Sequence, residues 1–250
     1  MSRESLAAVV LAAGEGKRMG GGVPKVLVEA CGRPLVEWVL DALAPLEPDP
    51  TVIVHGFAGD RVRVALDGRG LRFAHQEEQN GTGHAVRCAM PSLDGFAGDV
   101  LVVCGDTPLL SSEVLAALIE DHRAGRRALT LLTATVEEPG SLGRILRDAG
   151  GRLTGIRETA DASEVEKAIS EVSTGVLVAD MAVLRPALEK LKADNAQGEY
   201  YLTDVPGVML DEGLAVDAYR TATAAAAMGV NDLNDLALAE KLLRTRSVDA

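Results

Sequence analysis

The chain has 250 residues, enough for one large domain or two small ones. Its 25 Lys and Arg against 37 Asp and Glu leave a formal charge of −12, and 47% of its residues are hydrophobic. This balance excludes wholesale disorder and argues against general binding to nucleic acid or an anionic membrane, though a few local cations can still reverse the sign of one cleft.

Taken in chain order, Arg3 followed by Leu6–Ala13 imitates a short signal peptide. Glu4 offsets Arg3, however, and a Gly- and charge-rich loop follows, so Leu6–Leu11 reads as a first buried strand. Thr51–His55, Leu71–His75 and Val100–Cys104 read as further strands. Pro34–Leu43 and Ser112–His122 carry helical patterns, the first opened by a proline and the second by serine with an acidic first turn. From Ala128 the texture changes. Ala128–Val136, Gly143–Arg147, Leu153–Arg157 and Val172–Ala179 read as strands, with Gly150-Gly151 as a hairpin turn. Helices return at Met181–Lys192, Tyr201–Glu212 and Asp232–Arg244.

The alternation implies an α/β fold, Rossmann-like, with a mostly parallel sheet flanked by helices and a second lobe of inserted antiparallel strands. We expect one domain, with a first lobe over about 1–110, a second over about 111–230 and a C-terminal helix over 231–250. Three cysteines, Cys31, Cys88 and Cys104, form no C-x-x-C pair and read as reduced thiols of a cytoplasmic protein. No apolar run approaches the roughly 20 residues of a membrane helix. The four histidines show no ligand spacing; His84 is expected to order its own loop.

The first strand runs into Leu11-Ala12-Ala13-Gly14-Glu15-Gly16-Lys17-Arg18-Met19, then Gly20–Gly22 and Val23-Pro24-Lys25. Small residues let backbone N–H groups approach phosphates, and Arg18 and Lys25 add positive charge. The dinucleotide fingerprint fails because Met19 stands where it needs Gly. The P-loop fails at Arg18, where it needs Ser or Thr, and at Leu11, where it needs Gly. The glycines at 20–22 are expected to form a mobile flap.

The string L-A-A-G-x-G-x-R-M followed by P-K-V-L resembles the signature of sugar-1-phosphate nucleotidyltransferases. Gln76–Ala85, Gly105-Asp106-Thr107-Pro108-Leu109, Asn195–Asp204 and Val230-Asn231 follow in order. Together they resemble the uridyltransferase domain of the bacterial N-acetylglucosamine-1-phosphate uridyltransferase family, over roughly Val9 to Leu243. The resemblance implies transfer of uridylyl from UTP to a sugar-1-phosphate with release of pyrophosphate. It implies Arg18, Lys25 and Asp106 as catalytic residues. Leu11, Ala12, Ala13, Gly14, Gln76, Gly81, Thr82 and Gly105 would bind nucleotide. Gly143, Glu158, Ser173, Tyr201 and Thr203 would bind sugar, and Asp106 with Asn231 would hold Mg²⁺.

The residues themselves leave some choices open. The Gln76 amide offers a donor and an acceptor, so it fits uracil one way round and cytosine the other. Asn231 equally suits a helix cap. Ser173 stands where the family has Asn, Leu142 where it has Tyr, and the basic residue usual after Glu158 is missing. These departures fall on the sugar side and admit glucose-1-phosphate or another hexose phosphate as acceptor. Rival readings are a transferase for another base, a non-catalytic nucleotide-sugar-binding regulatory subunit, and a glycosyltransferase. The last normally shows Asp-x-Asp, and Gly105-Asp106-Thr107 supplies one carboxylate. No hexapeptide repeat is present, so neither acetyl transfer nor a trimer built on a left-handed β-helix is expected; a monomer or weak dimer is.

Overall fold

A computed structural model describes residues 5–246. The elements are β1 (Leu6–Ala12), β2 (Glu29–Ala30), β3 (Arg33–Pro34), α1 (Leu35–Leu43), β4 (Thr51–His55), α2 (Gly59–Ala65), β5 (Arg72–His75), α3 (Thr82–Ala89), β6 (Asp99–Cys104) and α4 (Ser112–Gly125). They continue with β7 (Leu129–Thr135), β8 (Arg144–Arg147), β9 (Leu153–Arg157), α5 (Glu164–Lys167), β10 (Glu171–Asp180), α6 (Met181–Glu189), α7 (Val205–Asp211), β11 (Val216–Thr221) and α8 (Leu233–Arg246).

One mixed sheet runs β11-β7-β10-β6-β1-β4-β5. β1 pairs in parallel with β4 and β6, and β5 and β11 join in parallel at the two edges. β10 is antiparallel to both β6 and β7. The β8–β9 hairpin hangs from β10 through Val172 and Arg144. The two expected lobes therefore share one sheet, with only that hairpin extending from it.

Both faces of the sheet are covered at its centre, so β1 and residues 100–104 of β6 alternate between two cores and are apolar throughout. Ala7, Val9, Val100 and Val102 pack with α3, α6 and α7, whereas Ala8, Val10, Leu101 and Val103 pack with α1 and α4. Each fully buried Val or Leu contributes about 1.5–3 kcal/mol. A third cluster of Ala30, Leu35, Leu109, Val230, Ala239 and Leu243 holds α8 against the β2–β3 ribbon.

Two helices are shorter than the periodicity predicts. The 181–192 helix ends at Glu189. The 201–212 helix begins as an α-helix only at Val205, where Pro206 fits the first turn; Tyr201 is extended and a single 3₁₀ turn, Leu202–Asp204, intervenes. The predicted Gly150-Gly151 turn is present, closed by Asp148 accepting from the amides of Gly150 and Arg152 at 2.9 Å each.

Candidate active site

β1 lies between β4 and β6, and the chain runs outward from β1 to β4 and β5 before crossing back to β6 on the other side. That is the switch point where open α/β sheets bind ligands, beyond the carboxyl ends of the strands. Two clefts meet there. The first, about 270 Å³, is lined by Leu11, Ala13, Gly14, Gln76, Gln79, Gly81, Thr82 and Glu199 among others. The second, about 210 Å³, is lined by Gly143, Glu158, Ser173, Thr203, Gly229 and Asn231 among others. Leu11, Thr82, Cys104 and Asp106 line both. A larger cavity of about 840 Å³ lies at the opposite end of the sheet, around Leu6, Asp49 and Ala116, and contains none of the expected residues.

At the junction, the Lys25 ammonium donates to Asp106 Oδ2 and, at 2.7 Å, to Asn231 Oδ1. Each partner is held by backbone. The Lys25 amide donates to the Gly14 carbonyl at 3.1 Å, which folds the Gly-rich loop back on itself. The Asp106 carbonyl accepts from the Val230 amide at 2.9 Å, so the strand end carrying Asp106 is tied to the segment carrying Asn231. Asn231 Nδ2 donates to the Gly229 carbonyl at 3.0 Å, which leaves Oδ1 turned to Lys25. Asn231 is not the cap of α8. Asp232 does that, its Oδ1 accepting from the amides of Asn234 and Asp235 at 2.8 and 2.9 Å.

The first cleft is built around Gln76, which is 3% exposed. Its Nε2 donates to the Gly81 carbonyl at 3.0 Å and lies 3.2 Å from His84 Nδ1. Gly81 has φ 104°, and a Cβ there would come within 2.5 Å of the Tyr200 carbonyl, so glycine is required. Gln79, which sequence reasoning did not single out, donates from Nε2 to the Ala13 carbonyl at 2.8 Å and ties the Gly-rich loop to the string at Gln76. Ala12 is buried, and Gly105 donates to the Leu11 carbonyl at 2.9 Å. Both support the cleft without lining it.

In the second cleft the Thr203 hydroxyl donates to Glu158 Oε1 at 2.7 Å. Burial raises the Glu158 carboxyl above its ordinary range; the Thr203 bond opposes this, and Asp204, Asp161 and Glu199 add to it. Ser173, 5% exposed, accepts from the Gly175 amide at 3.3 Å. Tyr201, expected among the sugar contacts, is not among the lining residues. It is buried, its hydroxyl has no hydrogen-bond partner among the described residues, and burial with nearby Asp161 and Glu158 pushes it up to about 12. Arg144 is a strut beneath this cleft. It donates to the carbonyls of Leu142, Gly140 (3.0 Å) and Lys167 (3.2 Å) and to Thr159 Oγ1 (3.2 Å).

Cys104, one of the three thiols, lines both clefts. Burial pushes its thiol up to about 12, so it is a neutral wall. Arg18 is exposed on the turn Lys17–Met19 and has no hydrogen bond or ion pair with a described residue. Gly20–Gly22 all have positive φ, and added Cβ atoms would meet nothing within 4 Å. No three His, Cys, Asp or Glu side chains cluster as a metal cage among the described residues. Asp106 and Asn231 nevertheless converge two hard oxygens on one cation, the Lys25 ammonium, and that donor pair fits a Mg²⁺ ion that keeps waters and takes phosphate oxygens.

Residues 8–172 match the MobA-like NTP transferase domain family, and the chain belongs to that family. It is 47% identical, over its whole length and 52% of the relative, to the bifunctional protein GlmU of Corynebacterium efficiens. It is 44% identical, over 98% of its length and 53% of the relative, to that of Pelotomaculum thermopropionicum. The chain thus spans about half the length of the curated relatives it matches. Its fold is shared with a crystal structure from Bacillus anthracis described as a glucose-1-phosphate thymidylyltransferase, with a TM-score of 0.76, 19% identity and 96% of each chain covered. No helix among the described residues is long and apolar enough to cross a membrane.

Proposed function

From that family membership as premise, we propose that the chain transfers uridylyl from UTP to N-acetylglucosamine-1-phosphate or a related hexose-1-phosphate, giving a UDP-sugar and pyrophosphate. The observation that carries this reading is the meeting of Lys25, Asp106 and Asn231 where the two clefts join. A nucleotide in the first cleft and a sugar phosphate in the second would bring their phosphates together there.

A sugar phosphate oxygen attacks the α-phosphorus in line. The bond from that phosphorus to the bridging oxygen breaks, and pyrophosphate leaves with the electron pair. No protein nucleophile is needed, because the barrier falls through positioning and charge neutralisation. Lys25 neutralises the α-phosphate and the attacking phosphate. Arg18, at the head of the loop, meets the leaving pyrophosphate; its present exposure suits a residue that closes on ligand. The Gln76 amide and the Gly81 backbone take the base, and Glu158 with Thr203 take sugar hydroxyls. Asp106 and Asn231 would hold Mg²⁺, which when bound supplies further neutralisation of the crowded phosphates. The proposed enzyme acts on small molecules in the cytoplasm.

Pyrophosphate release tests this with UTP, CTP, dTTP and ATP against a panel of sugar-1-phosphates. Release with UTP and a hexose-1-phosphate is expected. Release only with another nucleotide overturns the uracil assignment, and nucleotide binding without release from any pair overturns the transferase reading.

A further inference from the structure

Gln76 alone cannot distinguish uracil from cytosine, because its amide can present either end. The surroundings of the amide remove that freedom. The Gly81 carbonyl can only accept, and it lies 3.0 Å from Gln76 Nε2, so the atom there must be the amide nitrogen. The same nitrogen lies 3.2 Å from His84 Nδ1, which must therefore also accept. An accepting Nδ1 puts the imidazole proton on Nε2, and Nε2 faces Cys88 Sγ at 3.7 Å. The Cys88 sulfur is a weak acceptor for that proton. Both Gln76 N–H groups are thus used inside the protein. The remaining group for a ligand in the cleft is the acceptor Oε1.

An acceptor at that place matches the N3–H of uracil. It opposes the N3 lone pair of cytosine, and a polar mismatch in a buried site discriminates strongly. We infer that His84 is a positioning residue for base selection: with the Gly81 carbonyl it holds the direction of the Gln76 amide, and the amide reads the base. The inference rests on the uridylyltransferase reading for its substrate, but not for its geometry.

The test is the ratio of kcat/KM for UTP to that for CTP in wild type, His84→Phe and His84→Asn. Phe cannot accept from Gln76, so the ratio should fall about tenfold, the worth of one lost hydrogen bond. Asn offers an oxygen near the place of Nδ1 and should restore it. A merely structural role for His84 would lower both rates together and leave the ratio unchanged, and an unchanged ratio in a folded His84→Phe protein overturns the inference. Imidazole ¹⁵N NMR of the wild-type chain decides the geometry without any variant. A proton on Nε2 supports it, and a proton on Nδ1 overturns it. Equal use of UTP and CTP by wild type would instead overturn the uracil assignment, while the NMR result would still decide the His84–Gln76 contact.

Discussion

Replacing Lys25 by Met removes a charge and keeps the length and packing of the side chain. The ammonium, on a side chain 16% exposed, donates to Asp106 Oδ2 and to Asn231 Oδ1. It therefore holds the two oxygens that would otherwise face a divalent cation. A charge-assisted hydrogen bond contributes about 1.5–3 kcal/mol, and a cation that takes Asp106 from Lys25 gives up one such bond. At about 1.4 kcal/mol per decade, nucleotide-free Lys25→Met should bind Mg²⁺ roughly tenfold to a hundredfold more tightly than wild type. Turnover should move the other way. Loss of one preorganised charge at the transferring phosphate costs about 2.7–4 kcal/mol, or about 10² to 10³ in kcat. Isothermal titration with Mg²⁺ in the absence of nucleotide measures the first effect and pyrophosphate release the second, with circular dichroism confirming the fold. Unchanged metal affinity would refute the competition between ammonium and metal, and wild-type turnover would remove Lys25 from the reaction.

Three further outcomes follow from the second cleft and its supports. Ser173 offers one hydroxyl, already accepting from the Gly175 amide, so glucose-1-phosphate should be used at a rate comparable to the acetamido sugar; a kcat/KM preference above about a hundredfold for the latter contradicts this. Because burial raises the folded-state Glu158 carboxyl, its stabilising contribution is present below the unfolded value near about 4.3 and lost as pH rises through the folded value. Glu158→Gln should therefore melt no lower than wild type at pH 7, lose that advantage below about pH 4, and raise KM for the sugar phosphate; a lower melting temperature at pH 7 would contradict the sign. Glu171 is the opposite case. Burial alone would raise it, but the Arg147 fork at 2.7 and 2.9 Å and the Thr133 hydroxyl hold it low, so Glu171→Gln should cost about 1–3 kcal/mol in urea unfolding at pH 7, a difference that fades as pH falls through the folded value and is absent if the pair is idle.

The sequence was most readable where function and local order coincide. The loop after β1 and the Gly105-Asp106 pair each sit at the carboxyl end of a strand whose apolar run is unmistakable, so those strands located their motifs, whereas the string at Gln76 follows the partly exposed β5, R-F-A-H. The edge strand β11 was missed because Val216–Thr221 reads V-D-A-Y-R-T, a half-buried segment with charges between its apolar residues. Helix α2 was missed for a similar reason, as G-D-R-V-R-V-A buries only Gly59 and Val62. Helix α3 is hidden inside a motif: His84 is expected to order a loop, whereas it lies in the helix that begins at Thr82. Within the site, the loop glycines could be read locally. The contacts of Lys25 could not, since Asp106 and Asn231 are 81 and 206 residues away and only the crossover topology brings them together. The two acceptors around the Gln76 amide were likewise invisible, because they depend on which way the helix after Gly81 turns His84.

On the proposed reading, uridylyl is transferred where Lys25, Asp106 and Asn231 meet. The most direct measurement is mass-spectrometric product analysis of the purified chain with UTP, N-acetylglucosamine-1-phosphate and Mg²⁺, run beside Asp106→Asn. UDP-sugar and pyrophosphate are expected in equal amounts from wild type, and about a hundredfold less or lower still from a folded Asp106→Asn protein. UDP-sugar formed at the wild-type rate by that variant, or no UDP-sugar from wild type with any hexose-1-phosphate, would contradict that reading.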